Sequence, residues 1–280
     1  MAGGPIVLMG IDAEDGGIGG HGPIQNYINV VNSILANVTN GGSNILVIGG
    51  GKNPNDNVTT FWNAIDAAIT QTVVYVNGAA NIASASFAGF AMLAVVSDVN
   101  NTPNGGLTVA ENDALATRST DVALFVNAGG GLQGYSSQFA TNVFGYLAGI
   151  GTFVVNPGDY NNITPTPEGL AIGITDALDV SFWHQTFGSF PSFLQVLAFN
   201  TTAGTPTEGQ AAAVGGQQVI VPTCIFEGPA IAMEQALADT LQAVRLSTTN
   251  VDDIARILKL IIKKEIVLEF LLEEICGDNS

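Results

Sequence analysis

A serine in a glycine-rich segment is the first candidate for chemistry in this sequence. Residues 129–138, GGGLQGYSSQ, place Ser136 directly after an apolar stretch, where a strand could turn sharply into a helix. In α/β hydrolases a G-x-S-x-G turn of this kind presents a nucleophilic serine. Gln138 stands in place of the second glycine, whose lack of a side chain lets such a turn close. The hydrolase pattern is therefore only partly met.

Serine chemistry also needs a base, and the chain has only two histidines, His21 and His184. Chain order allows a triad of Ser136, His184 and either Asp179 or Asp176. Such a site would make the protein a serine-dependent hydrolase or a carbohydrate-active enzyme. A histidine in the aromatic segment SFWHQTF is equally expected to be a packed or loop residue, so both interpretations stand.

Three carboxylates in four residues follow the first predicted strand. Asp12, Glu14 and Asp15 lie in the segment DAEDGG, and open α/β sheets place their sites at the carboxyl ends of strands. Oxygen ligands at this density could hold a hard cation such as Ca²⁺, although the spacing matches no EF-hand loop. A solvated acidic turn is the simpler interpretation. The same acids argue against dinucleotide binding at the neighbouring GIGGHG motif, because a pyrophosphate needs positive potential.

An aromatic cluster surrounds His184. Phe182, Trp183, Phe187 and Phe190 could form a surface on which a sugar or another small ligand stacks. Aromatic side chains at this density are more often part of a core. A glycan-binding module is therefore an alternative to an enzyme.

The elements that must position these residues alternate along the chain. Apolar runs separated by helical segments predict βαβ units, and several runs are continuous, as in strands that are covered on both faces. We therefore predict an α/β fold with a mostly parallel sheet flanked by helices. The polar stretch around 157–215 is predicted to form long loops and short elements over one edge of the sheet. The predicted strands are 5–11, 44–50, 72–78, 92–98, 131–136, 152–156 and 217–223, and the predicted helices are 24–38, 58–70, 107–127 and 138–149.

Charge is distributed unevenly along the chain. Residues up to 244 include seventeen acids and only two bases, whereas the rest of the chain has five bases and seven acids. So acidic a region repels phosphate backbones and anionic lipids, and neither nucleic acid nor membrane is expected as a partner. The chain does not open on a secretory pattern, and no apolar run reaches the length of a membrane span. We expect synthesis in the cytoplasm without a signal peptide, and a location at a spore surface or in an intracellular inclusion.

The end of the chain, 229–280, is predicted to be a helical extension of an α/β domain that spans 1–228. In residues 250–276 the charges lie mainly on one side of the helix, and the apolar arc is wider than one flank of a domain needs. This helix could dock on its own sheet or join chains into a homo-oligomer or lattice. The assembly residues would be Ile257, Ile261, Leu268, Leu271 and Cys276, the last of which could pair between chains.

Two segments resemble a known group of domains. Residues 105–137, GGLTVAENDALATRSTDVALFVNAGGGLQGYSS, are similar to a segment of ThuA-like and class I glutamine-amidotransferase-like domains, and 172–188 looks like the segment after the sheet core in bacterial members. The resemblance extends loosely over 5–228 and implies a flavodoxin-like fold. In it, the glycines at 129–131 end a helix and begin a strand. Ser136 falls where amidotransferases carry a cysteine nucleophile and ThuA-like proteins a histidine.

The chain departs from this group at the positions that do chemistry. No cysteine stands at 136, and His184 is followed two residues later by Thr186, where the amidotransferases have a glutamate. Glutamine hydrolysis through a thiolate is therefore excluded. We expect a non-catalytic, self-assembling structural protein of the coat, spore-layer or crystalline-inclusion type, with no cofactor apart from Ca²⁺ at the acidic loop. A hydrolase at Ser136 and His184, and a glycan-binding module, are the alternatives.

Overall fold

The computed structural model describes residues 3–98, 104–137, 142–180 and 182–221. All of them belong to one unit of the chain, Met1–Val221. The domain boundary predicted at 228 and the C-terminal extension predicted over 229–280 lie outside the described residues. The same holds for the five candidate assembly residues Ile257, Ile261, Leu268, Leu271 and Cys276.

The described part of the chain folds into one sheet of ten strands with flanking helices. The strands are β1 (Gly4–Met9), β2 (Asn44–Ile48), β3 (Val73–Val76), β4 (Phe90–Val95), β5 (Gly131–Tyr135), β6 (Val154–Tyr160), β7 (Ile163–Pro165), β8 (Trp183–Ser189), β9 (Gln195–Asn200) and β10 (Ala211–Val219). The helices are α1 (Ile24–Asn37), α2 (Asn57–Asp66), α3 (Ala79–Ser84), α4 (Val109–Ala116), α5 (Ser119–Asn127) and α6 (Pro167–Ile172). Short 3-10 turns lie at Gly145–Leu147 and Asp176–Val180.

The sheet has a parallel half and an antiparallel half. Strands β3, β2, β4, β5 and β1 lie side by side in that order and are parallel. Beyond β1 the sheet continues through β10, β8 and β6, each antiparallel to its neighbour. Strand β9 pairs with β10 and β7 with β9, both antiparallel. The predicted α/β class is confirmed, but the prediction of a mostly parallel sheet is wrong, because the sheet is mixed.

The antiparallel half comes mainly from the stretch around 157–215, which was predicted to form long loops and short elements. Strand β6 lies at the end of the strand order and buries only Tyr160, and the predicted strand 152–156 covers only its first three residues. In β8 the first five residues are largely buried, and they include polar Gln185 and Thr186. Antiparallel strands with one side facing solvent need few apolar residues. The polar composition of this stretch therefore did not predict its strands.

Two helix predictions also need correction. The segment predicted as one helix, 107–127, forms α4 and α5 with a break at Arg118. The guanidinium of Arg118 bonds to the carbonyl oxygens of Ile82 and Ala85 and lies over the ring of Phe87, which ties this junction to the end of α3. Of the helix predicted over 138–149, the described residues 142–149 form only turns. No helix in the described part of the chain is long and apolar enough to cross a bilayer.

Helices cover both faces of the parallel half. A Cβ on Gly130 would lie 2.2 Å from the Phe125 ring of α5, and a Cβ on Gly131 would lie 2.4 Å from Ile34 of α1. Since successive residues of a strand face opposite sides, α1 and α5 pack on opposite faces of β5. Gly129, with a φ of +97°, follows the end of α5 and allows the chain to turn into the strand. The prediction that these glycines end a helix and begin a strand is confirmed.

Candidate functional site

The polar centre of the molecule lies where three adjacent parallel strands end. Asp12 follows β1, Asp98 follows β4, and Ser136 and Ser137 follow β5. The Ser136 backbone N–H donates to the carbonyl oxygen of Ile11 at 3.0 Å, and the Ser137 N–H donates to Oδ2 of Asp98 at 3.1 Å. These bonds fix the three strand ends with respect to one another.

Strand β8 begins directly beside the end of β1. The carbonyl oxygen of Gly10 accepts the backbone N–H groups of His184 and Gln185, at 2.7 and 3.0 Å. The Gly10 N–H donates to the carbonyl oxygen of Ala212 in β10. A Cβ on Gly10 would lie 1.9 Å from the Gln185 carbonyl oxygen, so only glycine allows this approach. The close packing brings the side chain of His184 to the acidic loop after β1.

Both histidines of the chain converge on one carboxylate. Nε2 of His184 lies 2.9 Å from Oδ1 of Asp12, and Nδ1 of His21 lies 3.4 Å from the same oxygen. The rings of the two histidines are 6.1 Å apart, centroid to centroid. One donor atom from each of the three residues lies within 4.8 Å of the other two. Asp12 is 5% exposed and His21 8%, so the cluster is buried.

The other ring nitrogen of each histidine faces a second carboxylate. Nδ1 of His184 lies 2.8 Å from Oδ1 of Asp159 in β6, and Nε2 of His21 lies 3.8 Å from Oδ2 of Asp15. Burial by itself would lower the pKa of His184, but Asp12 and Asp159 outweigh it and raise this pKa to about 9. With no metal bound, the His184 ring is therefore a cation at neutral pH.

The three carboxylates of the acidic loop have different surroundings. Glu14 is fully buried and accepts a bond from Nε1 of Trp62 at 3.4 Å. Burial raises the pKa of Glu14 to about 8, so its side chain is mostly protonated at neutral pH. Oδ1 of Asp15 accepts from its neighbour Gly16 and from Asn104, both at 2.9 Å. Ca²⁺ held jointly by the three residues stays a prediction, and the histidines are the groups that lie close to Asp12.

Ser136 directly follows β5, at the end of the predicted strand 131–136. The residue is 1% exposed, and its Oγ has no hydrogen-bond partner among the described residues. Phe144 is the only non-glycine residue with a positive φ in the described part of the chain, so Ser136 lacks a strained backbone. Both ring nitrogens of His184 contact carboxylates, and Oδ1 of Asp179 accepts from the N–H of Ile163 instead.

The aromatic cluster around His184 is mostly core. Trp183 is fully buried, donates through Nε1 to the Leu178 carbonyl oxygen and stacks on Tyr160. Phe187 is 2% exposed. Phe182, at 55% exposed, is the one of the four rings that is largely accessible. A sugar could therefore stack on Phe182 but not on Trp183 or Phe187.

Sequence reasoning named Asp12 and Asp15 for a cation site and His184 for a serine site, whereas the structure brings Asp12 and His184 into one cluster with Asp15 near its edge. It passed over Asp159, because β6 was predicted only as far as residue 156 and no motif surrounds this acid. It considered His21 only as an alternative base. A signal was nonetheless available: the chain holds only two histidines, and one of them follows closely on the acidic loop.

Comparison with protein-family models, with curated proteins and with solved structures gave no match.

Proposed function

We propose that this chain is a non-catalytic structural protein that assembles with copies of itself, and that its α/β domain retains a nucleophile's position without the chemistry. The surroundings of the Ser136 hydroxyl are the main support for the absence of catalysis. Its hydroxyl is buried and has no partner among the described residues, while both nitrogens of His184 contact carboxylates. A serine nucleophile needs a base within hydrogen-bond reach and an open approach for substrate, and Ser136 has neither.

The strand order supports descent from a flavodoxin-like domain of the ThuA-like and amidotransferase-like group. The parallel strands lie in the order β3, β2, β4, β5, β1. A flavodoxin-like sheet has the strand order 2-1-3-4-5. The order here is the same when β2 takes the place of the first strand, β3 the second, β4 the third, β5 the fourth and β1 the fifth. The resemblance of residues 105–137 to that group is consistent with this order, since they end with β5 and Ser136.

The composition supports a role in assembly. With only two bases before residue 245, the surface of the α/β domain must consist largely of acidic and neutral polar side chains, which suits a coat or inclusion protein. The apolar arc predicted for 250–276 supplies a contact between chains. We propose that this contact forms a homo-oligomer or lattice at a spore surface or in an inclusion, without nucleic acid or membrane.

Labelling with a fluorophosphonate probe tests the absence of serine chemistry. The full-length protein and its Ser136→Ala variant are incubated with the probe beside an active serine hydrolase as the positive control. We expect the protein and the variant to show the same background. Labelling of the wild type that disappears in Ser136→Ala would overturn the proposal, because it would demonstrate an activated hydroxyl.

Light scattering on full-length variants tests the assembly. Ile261→Glu and Leu268→Glu place a charge in the predicted apolar arc, and Lys263→Gln changes a charge on the opposite, polar side. We expect the two glutamate variants to reduce the native mass and Lys263→Gln to preserve it. A native mass that none of the three variants changes would remove the C-terminal segment from the proposal.

A further inference from the structure

The cluster of Asp12, His21 and His184 has the donor atoms of a transition-metal site. One ligand atom from each of the three residues lies within 4.8 Å of the other two, and both Nδ1 of His21 and Nε2 of His184 approach Oδ1 of Asp12. Two of the separations are 2.9 and 3.4 Å. Ligand atoms bound about 2.0–2.2 Å from one Zn²⁺ ion in tetrahedral geometry are separated by about 3.3–3.6 Å. A small movement of side chains would therefore bring all three atoms onto one ion.

Two of these atoms are buried without a hydrogen bond. Nδ1 of His21 and Oδ1 of Asp12 have almost no contact with solvent and no hydrogen-bond partner in the described structure. Oδ1 of Asp12 is nevertheless in ion-pair contact with Nε2 of His184 at 2.9 Å, whereas Nδ1 of His21 comes no closer than 3.4 Å to that oxygen and is left without a hydrogen bond. A buried polar atom without a partner costs about 1–3 kcal/mol. A cation between the three atoms would satisfy each of them.

The outer carboxylates complete the pattern of a metal-binding histidine. A histidine that binds a metal through one ring nitrogen usually donates the other N–H to a carboxylate or a carbonyl. Asp159 stands in this position for Nδ1 of His184, at 2.8 Å, and Asp15 lies toward Nε2 of His21, at 3.8 Å. With an ion bound, the His184 imidazole would be neutral and would donate from Nδ1 to Asp159, whereas Asp15 lies beyond hydrogen-bond distance of His21.

The backbone around the three side chains is held in place. The Gly10 carbonyl oxygen accepts the N–H of His184, and the His21 carbonyl oxygen accepts the hydroxyl of buried Tyr27 at 2.5 Å. Two buried residues, Gly10 and Ile11, separate Asp12 from the end of β1. The ligands thus come from the end of β1, the segment before α1 and the start of β8, so a bound ion would join these three elements.

We propose that Asp12, His21 and His184 bind one divalent transition-metal ion, Zn²⁺ or a close neighbour of it, and that the ion ties the parallel half of the sheet to the antiparallel half. Two imidazoles and one carboxylate suit zinc and its neighbours, whereas Ca²⁺ and Mg²⁺ prefer oxygen ligands throughout. The inference goes beyond the proposed structural role and is independent of self-assembly.

A titration with Zn²⁺ and with Co²⁺ tests this site. The full-length, tag-free protein is first treated with a chelator to remove any bound metal. We expect one ion per chain, visible Co²⁺ absorption of the intensity seen at low coordination number, and a rise in Tm with Zn²⁺ that Ca²⁺ does not produce. Asp12→Asn, His21→Asn and His184→Gln should each abolish the absorption. Asp113→Asn, the same change of charge on an exposed residue of α4, should preserve it.

Two controls separate this site from other ligands and from misfolding. Double replacement of Cys224 and Cys276 by serine should leave binding unchanged, because the proposed ligands are Asp12, His21 and His184. Circular dichroism identifies any variant that does not fold, and competition between Zn²⁺ and Ca²⁺ on the wild type does not depend on variants. Absence of a one-to-one Zn²⁺ complex in the wild type, or binding unchanged in folded His21→Asn and His184→Gln, would overturn the proposal.

Discussion

Oδ1 of Asp12 lies 2.9 Å from Nε2 of His184, and this contact joins the end of β1 to the start of β8. The two residues belong to different halves of the sheet, one parallel and the other antiparallel. The approach depends on Gly10, whose backbone bonds to both β8 and β10. The cluster of Asp12, His21 and His184 is therefore also a junction between the two halves of the sheet.

Replacement of Gly10 by alanine tests the junction. The new Cβ would lie 1.9 Å from the Gln185 carbonyl oxygen, so β8 or β1 must move. We expect a loss of about 1–3 kcal/mol in the free energy of unfolding, measured by urea denaturation, because overpacking forces shifts of backbone. Gly41→Ala is the control, since Gly41 has open space around it and only its φ of +73° opposes a side chain. Equal stability of Gly10→Ala and wild type would contradict the close approach of the strands.

Asp159→Asn should weaken the proposed metal site without removing it. The carboxylate lies 2.8 Å from Nδ1 of His184 and is not among the three proposed ligands. Loss of such an outer partner typically costs about 10–100-fold in metal affinity. Isothermal titration with Zn²⁺ measures the change, with Asp113→Asn as the matched control. A variant that binds as tightly as the wild type would show that Asp159 does not orient the imidazole.

The ionisation of Glu111 should make the free energy of unfolding depend on pH. Its Oε2 contacts Nζ of Lys52 at 2.6 Å, and its carboxylate accepts the N–H groups of Thr108 and Gly78. Burial alone would raise the pKa of Glu111, but these bonds lower it below its ordinary value. Because the folded-state pKa is the lower one, the stabilisation is present above the ordinary pKa and is lost as pH falls through the folded-state value.

Glu111→Gln is the corresponding variant, and we expect it to lose about 1.5–3 kcal/mol near neutral pH, since it replaces charged hydrogen bonds. The difference from the wild type should shrink as the pH falls through the folded-state pKa of Glu111, where the wild-type carboxylate also becomes neutral. Urea denaturation at several pH values measures it, with Glu168→Gln in α6 as the control. A difference that is constant from neutral to acid pH would exclude the ion pair as the source of the effect.

Trp183 and Phe182 should differ sharply when each is replaced by alanine. Trp183 is fully buried, and a large aromatic side chain removed from a core costs about 3–5 kcal/mol. Phe182 is 55% exposed, and surface changes usually stay within about 0.5 kcal/mol. Chemical denaturation measures both. Sugars should leave the tryptophan fluorescence of the wild type unchanged, and saturable quenching by a sugar would favour the glycan-binding alternative instead.

The parallel half of the fold could be predicted from the sequence because its strands are buried on both faces. Residues 44–48 in β2 and 131–135 in β5 fall within predicted strands, as do most of β1 and β4. The antiparallel half lacked this signal, because polar side chains face solvent from its strands. Its pairing is also long-range, and nothing local in the sequence specifies that β10 lies beside β1.

The candidate site was predicted in parts and not as a whole. Asp12 and His184 were both named, but for a cation loop and a serine triad. Their meeting depends on the position of β8 at the end of β1, and that position rests on Gly10 and on pairing between β8 and β10. Chain order alone could not supply it, so the sequence favoured Ser136 as the partner of His184 where the structure has Asp12 and Asp159.

The native mass of the untagged, full-length protein, measured by light scattering with and without reductant, tests the central claim most directly. At micromolar concentration we predict a native mass at least twice the mass of one chain. A decrease in that mass on reduction would show that a disulfide links chains, and absence of that decrease in Cys276→Ser would identify Cys276 as the link. A protein that remains a single chain under both conditions and at every concentration would contradict the assignment as a self-assembling structural protein.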